Sequence, residues 1–213
     1  MIRIIIIFIF LVSNFTAFCQ EKNDKIFQKT YLTIIFNNGS SSTGGDILKK
    51  WNQDINILYE GDSCQYLKEV IDNVIAKTSS SIGNLKIRVV TTKADANYII
   101  SVNDSTTSST TTKYHENWTS GSGNIYKCFL TINRVKTFNK NEQKAFLKTY
   151  FLKSLGNFSF SNVKTPINSS MYDMFNEITD FDLKVLSFHY SNNIKAGMTE
   201  KDVEKAFKSR GNN

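Results

Sequence analysis

The stretch that most constrains the fold is residues 139–157, NKNEQKAFLKTYFLKSLGN. Asn139 is a good N-cap, and Glu142 three residues later completes a capping-box pattern. Gly156 is expected to supply the left-handed residue that ends the helix. Between them Phe146, Leu147, Tyr150, Phe151 and Leu155 fall at helical spacing, with Ala145 and Leu152 adding apolar surface on the other side. A helix apolar on most of its circumference is buried on most of it, so the rest of the chain has to be built around this one.

The chain is long enough at 213 residues for one domain with a real core, and its 16 Phe and 9 Tyr against a single proline exclude a disordered or collagen-like chain. Residues 1–19 read as a secretory signal: Arg3, an apolar run from Ile4 to Val12, then a small polar stretch to Ala17. That run is too short to span a bilayer, which takes ~20 residues. Cleavage is expected after Cys19, leaving no transmembrane segment. A lipoprotein acylated at Cys19 is disfavoured by the bulky Phe18 before it. The expected compartment is periplasmic or extracellular, where Cys64 and Cys128 either form one disulfide or stay as two buried thiols. The net charge of +7 is spread without runs of like charge, so a basic solvated surface is expected and not a nucleic-acid interface.

Residues 20–47 are expected to form a strand over Tyr31–Phe36 and a Ser/Gly/Asn-rich linker, followed by the main domain over 48–210. Within that domain, strands are expected at Trp51–Tyr59, Leu85–Val90, Asn97–Val102 and Tyr126–Val135. A helix over Cys64–Lys77 carries Leu67, Val70, Ile71, Val74 and Ile75 on one stripe, capped by Asp62 or Ser63. Ser105–Thr112 reads as a solvated loop or exposed edge strand, and Gly121-Ser-Gly123 as a turn. Between them Tyr114, His115, Glu116 and Trp118 form a local aromatic and ionisable cluster. A helix capped by Thr179 or Asp180 runs to about Tyr190, and a last one starts at Thr199.

The stretch Thr149 to Gly156 has the frame of the zinc-peptidase signature H-E-x-x-H-x-x-G. With Ser170-Met171-Tyr172 as a Met-turn and Ile178-Thr179, Asp182 and Tyr190 as a last helix, the chain from about residue 48 to 190 resembles the catalytic domain of metzincin-type zinc peptidases. It resembles more closely a group of secreted bacterial zincin-like domains of unknown function, through Lys50-Trp51, Leu155-Gly156 and Lys195-Ala-Gly-Met198. The resemblance implies an α+β fold: a mixed twisted sheet, a central helix where the family has its active site, and a C-terminal helical part.

The family's chemistry does not carry over. Two histidines at i and i+4 and a carboxylate between them are needed for one metal and its water. Here Thr149 and Lys153 stand at the histidine positions, Tyr150 at the glutamate and Ser159 at the third histidine. Lysine repels a dication, and tyrosine is a weak base near neutral pH. No metal or other cofactor is implied. Lys153 is expected to extend along the helix towards solvent, or else to pair with a carboxylate or bind a substrate-like carboxyl group where the metal would sit. His189 is expected to sit at a helix C-terminus as a cation favoured by the dipole. His115 is expected on a loop over the cleft.

The function expected from these residues is that of an exported, catalytically inactive domain binding a peptide or protein of the cell envelope, with Tyr114, His115 and Trp118 in its cleft. The alternatives are a hydrolase with a non-standard site and a structural envelope protein.

Overall fold

The computed structural model describes residues 24–36, 47–61, 65–104, 106, 112–119, 121–137, 139–159 and 177–210. It is a mixed α+β fold. Six strands form one sheet: β1 (Lys50–Trp51), β2 (Ile55–Glu60), β3 (Ile87–Val89), β4 (Tyr98–Asn103), β5 (Thr112–Trp118) and β6 (Asn124–Asn133). Five of them run parallel in the order β1-β6-β4-β2-β3, and β5 pairs antiparallel with β6. The helices are α1 (residues 24–36), α2 (Gln65–Thr78), α3 (Lys140–Ser154), α4 (Asp180–His189) and α5 (Glu200–Arg210).

The pleat divides the sheet into unlike faces. Ile55, Ile57, Tyr98, Ile100, Cys128, Leu130 and Ile132 share one core with residues of all five helices. The other face carries Leu58, Ser101, Phe129 and Thr131, all half-buried. There Ser101 and Thr131, side by side in the β4–β6 register, hydrogen-bond through their hydroxyls at 2.8 Å.

Tyr31–Phe36 is not a strand but the last two turns of α1. Phe27, Tyr31, Ile34 and Ile35 are buried at helical spacing, and a short apolar run such as YLTIIF cannot be assigned by periodicity alone. The helix is held by tertiary packing. The Phe27 ring stands edge-on to Phe181, Phe188 and Phe207 at 5.9–6.0 Å, and Phe188 stacks on Phe207 at 4.1 Å. Each such buried ring stabilises the fold by about 1.5–3 kcal/mol. These α1 residues belong to the same core as Leu48 and Trp51, so the segment ahead of residue 48 helps build the domain.

β5 is the second departure. Tyr114, His115 and Trp118 lie on a regular strand and not on a loop over a cleft. The strand is in register with β6 from Thr112 opposite Ile132 to Trp118 opposite Ile125, with an irregularity at Asn117/Trp118. Gly121 and Gly123, both with positive φ, close the hairpin as their spacing predicts.

Three caps match the sequence closely. The Asn139 side chain accepts from the Glu142 N–H at the start of α3. Thr179 and Asp182 form a complete capping box on α4. The Thr199 hydroxyl meets the Asp202 carboxylate at 2.7 Å ahead of α5. Asp62, Ser63 and Cys64 lie outside the described residues, so neither the α2 cap nor a Cys64–Cys128 disulfide is described; Cys128 is buried in β6. Among the described residues no helix is long and apolar enough to cross a membrane.

Candidate functional site: the C-terminal end of the central helix

The C-terminal end of α3 is fastened on every side by side chains distant in sequence. The Trp51 indole N–H donates to Ser154 O at 2.8 Å, and the Tyr190 hydroxyl donates to Leu155 O at 2.5 Å. The Gly156 and Phe158 amides both donate to Lys153 O. Carbonyls that a helix end leaves without partners are thereby satisfied.

Gly156 does not supply the left-handed residue, which is Asn157 with φ 50°. Asparagine is among the few residues that adopt this conformation readily. Gly156 is required for a different reason: a Cβ there would lie 2.5 Å from the Phe158 ring and 2.8 Å from His189 Nε2.

His189 is at the centre of this junction and is 0% exposed. Its Nε2 stands 3.1 Å from Lys49 O and its Nδ1 2.9 Å from the Tyr31 hydroxyl. Lys49 O can only accept, so Nε2 carries the proton and Nδ1 accepts from Tyr31. Burial, reinforced by the nearby Lys50 charge and partly offset by the Lys49 carbonyl, pushes the His189 pKa down to about 3. The imidazole is therefore neutral. This corrects the expectation of a cation held by the helix dipole: desolvation outweighs the dipole here. The signal was in the sequence, because His189 falls four residues after Val185 and three after Leu186, on the apolar stripe of α4.

The positions aligned with the zinc motif are interior ones. Thr149 is 0% exposed, and its hydroxyl is buried with no hydrogen-bond partner among the described residues. Lys153, one turn on, is 8% exposed and holds its ammonium 5.9 Å from the Tyr150 ring centroid. It is buried and not laid out along the surface as expected. Tyr150 is half-buried, and desolvation raises its pKa, further from a useful base. The Ser159 hydroxyl donates to Ile34 O at 2.7 Å, closing the end of α1. Among the described residues no group of three or more His, Cys, Asp or Glu is placed to hold a metal ion.

His115 is exposed and is not brought to these residues. It registers with Phe129, on the sheet face opposite the one that meets α3, where Tyr98 packs on Phe151 at 5.3 Å. Only the strand positions of Tyr114 and Trp118 are described, and Met171 lies outside the described residues.

What does converge is the set of weaker sequence signals. Lys50 donates to Ile194 O at 2.8 Å and lies 5.1 Å over the Tyr190 ring. Leu48 exchanges backbone hydrogen bonds of 2.8 Å with Gly197 and Met198. Lys50-Trp51, Leu155-Gly156, Tyr190 and Lys195–Met198 thus meet at one end of the sheet. Chemically this arrangement supports structure and binding: the one histidine in it has both nitrogens engaged and is sealed from solvent, so it cannot act as a general base on a bound substrate.

A direct consequence concerns Thr149. A buried hydroxyl without a partner costs about 1–3 kcal/mol. Thr149→Val, which keeps the shape, is expected to raise stability by about 1 kcal/mol, read as an increased urea midpoint at unchanged m. A fall of similar size would show that the hydroxyl has a use.

No protein-family model matches this chain, and no curated protein matches it.

Proposed function

We propose that the chain is an exported, non-catalytic binding domain on a zincin-like frame, which captures an extended peptide or protein segment of the cell envelope along β5. The order β2, α2, β3, β4, β6, α3, α4 supports the frame, with β5 as an additional strand before β6. The burial of Thr149, Lys153 and Ser159 supports loss of the peptidase chemistry, since residues of these types, packed as they are, offer neither a ligand set nor a base.

The observation that carries the binding reading is the position of β5. Among the described residues it is hydrogen-bonded to β6 alone, which leaves one row of backbone donors and acceptors for an added strand. Its seven residues, 112–118, are long enough to fix a register.

Panning a displayed random-peptide library on the purified protein, followed by hydrogen exchange, tests this. Selected peptides are expected to slow exchange of amides 112–118 and to be recovered uncleaved. Enrichment of no peptide, protection confined to other segments, or cleavage of the peptides would contradict it.

A further inference from the structure

The end of the sheet where the distant segments meet also contains a cavity of about 780 Å³ that neither the zinc-motif positions nor β5 account for. Its lining comes from four separate segments, including Lys50, Asn52, Asn84, Asn124, Tyr190 and Lys195. The volume falls in the range of small-molecule sites, roughly 300–1,000 Å³.

Lys50 is the unusual member. Its ammonium has three hydrogens, of which the Ile194 carbonyl takes one, and the Tyr190 ring covers one side. Among the described residues no carboxylate lies within ion-pair distance of it, although burial alone pushes its pKa down to about 8. A cation that has lost water without gaining an anion is held at a cost, which an incoming anion removes. The second lysine of the lining, Lys195, is exposed and adds to the positive potential. The single carboxylate of the lining, Asp54, is already paired with Arg88 at 3.0 Å.

The walls are amides. The Asn52 side chain donates to Asn124, which donates in turn to Ser122 at 3.1 Å. Each asparagine still has a donor hydrogen and an acceptor lone pair beyond that chain, and Asn84 is exposed. Groups that both donate and accept match hydroxyls, which do the same. A bare carboxylate would leave most of this wall unused, and a neutral sugar would leave Lys50 without its counter-ion.

We propose that this cavity binds a small polyhydroxylated carboxylate, a sugar acid, with the carboxylate on Lys50 and Lys195 and the hydroxyls on Asn52, Asn84 and Asn124. The site is preformed. Gly123 and Gly197, both at positive φ, bring the β5–β6 hairpin and the 195–198 segment into backbone contact with Leu48 and so fix the walls.

Isothermal titration of the purified protein with D-glucuronate, D-glucose and acetate separates the parts of this claim. Glucuronate is expected to bind at least about tenfold more tightly than either control, the difference that one charge-assisted hydrogen bond confers. Lys50→Met is expected to weaken glucuronate by about tenfold or more. The doubly substituted Asn84→Ala/Lys195→Gln protein changes only exposed side chains and decides the matter if Lys50→Met does not fold; it is expected to weaken binding several-fold. Absence of glucuronate binding, equal binding of glucose or acetate, or affinity unchanged in the folded variants would overturn the proposal.

Discussion

Acidification from about pH 6.5 towards pH 4 is expected to destabilise the protein through His189. The folded imidazole has its pKa lowered from 6.5 to about 3, whereas in the unfolded chain it takes up a proton near 6.5. The unfolded state therefore binds more protons throughout this interval, so stability rises with pH across it and is lost as pH falls. Over the full window one such group is worth of order 4 kcal/mol, a large share of the 5–15 kcal/mol typical of a domain. Asp104, Glu177 and Asp202 also have lowered pKa values, but Asp104 and Glu177 are exposed and Asp202 is partly so, and solvent screening leaves them a small contribution. Lys50 works in the same sense at higher pH, between about 8 and 10.5.

Urea midpoints measured from pH 4 to 7 check this. The native chain is expected to show a steep rise that His189→Gln lacks, while His189→Gln is the less stable of the two at pH 7. Losing its ring from between Tyr31 and Lys49 O costs about 2–4 kcal/mol by leaving a cavity and a buried acceptor. Parallel pH profiles for the two proteins would show that His189 does not titrate as the burial requires.

The second large effect is expected at Gly123. A Cβ there would stand 2.2 Å from Leu48 O and 2.7 Å from Gly197 N, and φ is +65°. Both obstructing atoms are backbone, tied to each other by the 2.8 Å hydrogen bond from Gly197 N to Leu48 O, so neither can move aside alone. The left-handed conformation costs about 1–2 kcal/mol for alanine, and displacing the packed backbone adds roughly 1–3 kcal/mol. Gly123→Ala is thus expected to lose about 2–5 kcal/mol. Gly121→Ala is the control, since it has φ +78° but nothing within 4 Å. It is expected to lose only the conformational part, about 1–2 kcal/mol. Equal losses for the two variants would mean that the Leu48–Gly123–Gly197 crossing is looser than described.

Much of the frame was legible because local signals and burial agree in it. Asn139 with Glu142 and Thr179 with Asp182 mark helix starts by chemistry that acts within four residues. Ile55 and Ile57 alternate with half-buried neighbours as a one-face strand should. Where the sequence reading failed, the deciding contacts are distant. Tyr31–Phe36 is helical because Phe27 and Tyr31 pack on Phe188 and Phe207, well over a hundred residues away. At Gly156 the sequence suggests a cap that needs flexibility, but the constraint is the space taken by Phe158 and His189. The sequence puts His115 on a loop over the cleft, but β5 is a strand, and register with Phe129 sets it on the sheet face opposite α3. The candidate site was legible only as separate fragments. Lys50-Trp51, Tyr190 and Lys195–Met198 stand out weakly in the sequence, and nothing short of the fold shows that they surround one helix end and one cavity.

The central claim, that a zincin-like frame has been turned from hydrolysis to binding, is tested most directly by elemental analysis of protein purified after expression with supplied zinc. With Thr149, Tyr150, Lys153 and Ser159 at the positions aligned with the zinc motif, no stoichiometric zinc is expected. Zinc at one ion per chain, retained through dialysis, would contradict it and would require ligands outside the positions that the zinc motif marks.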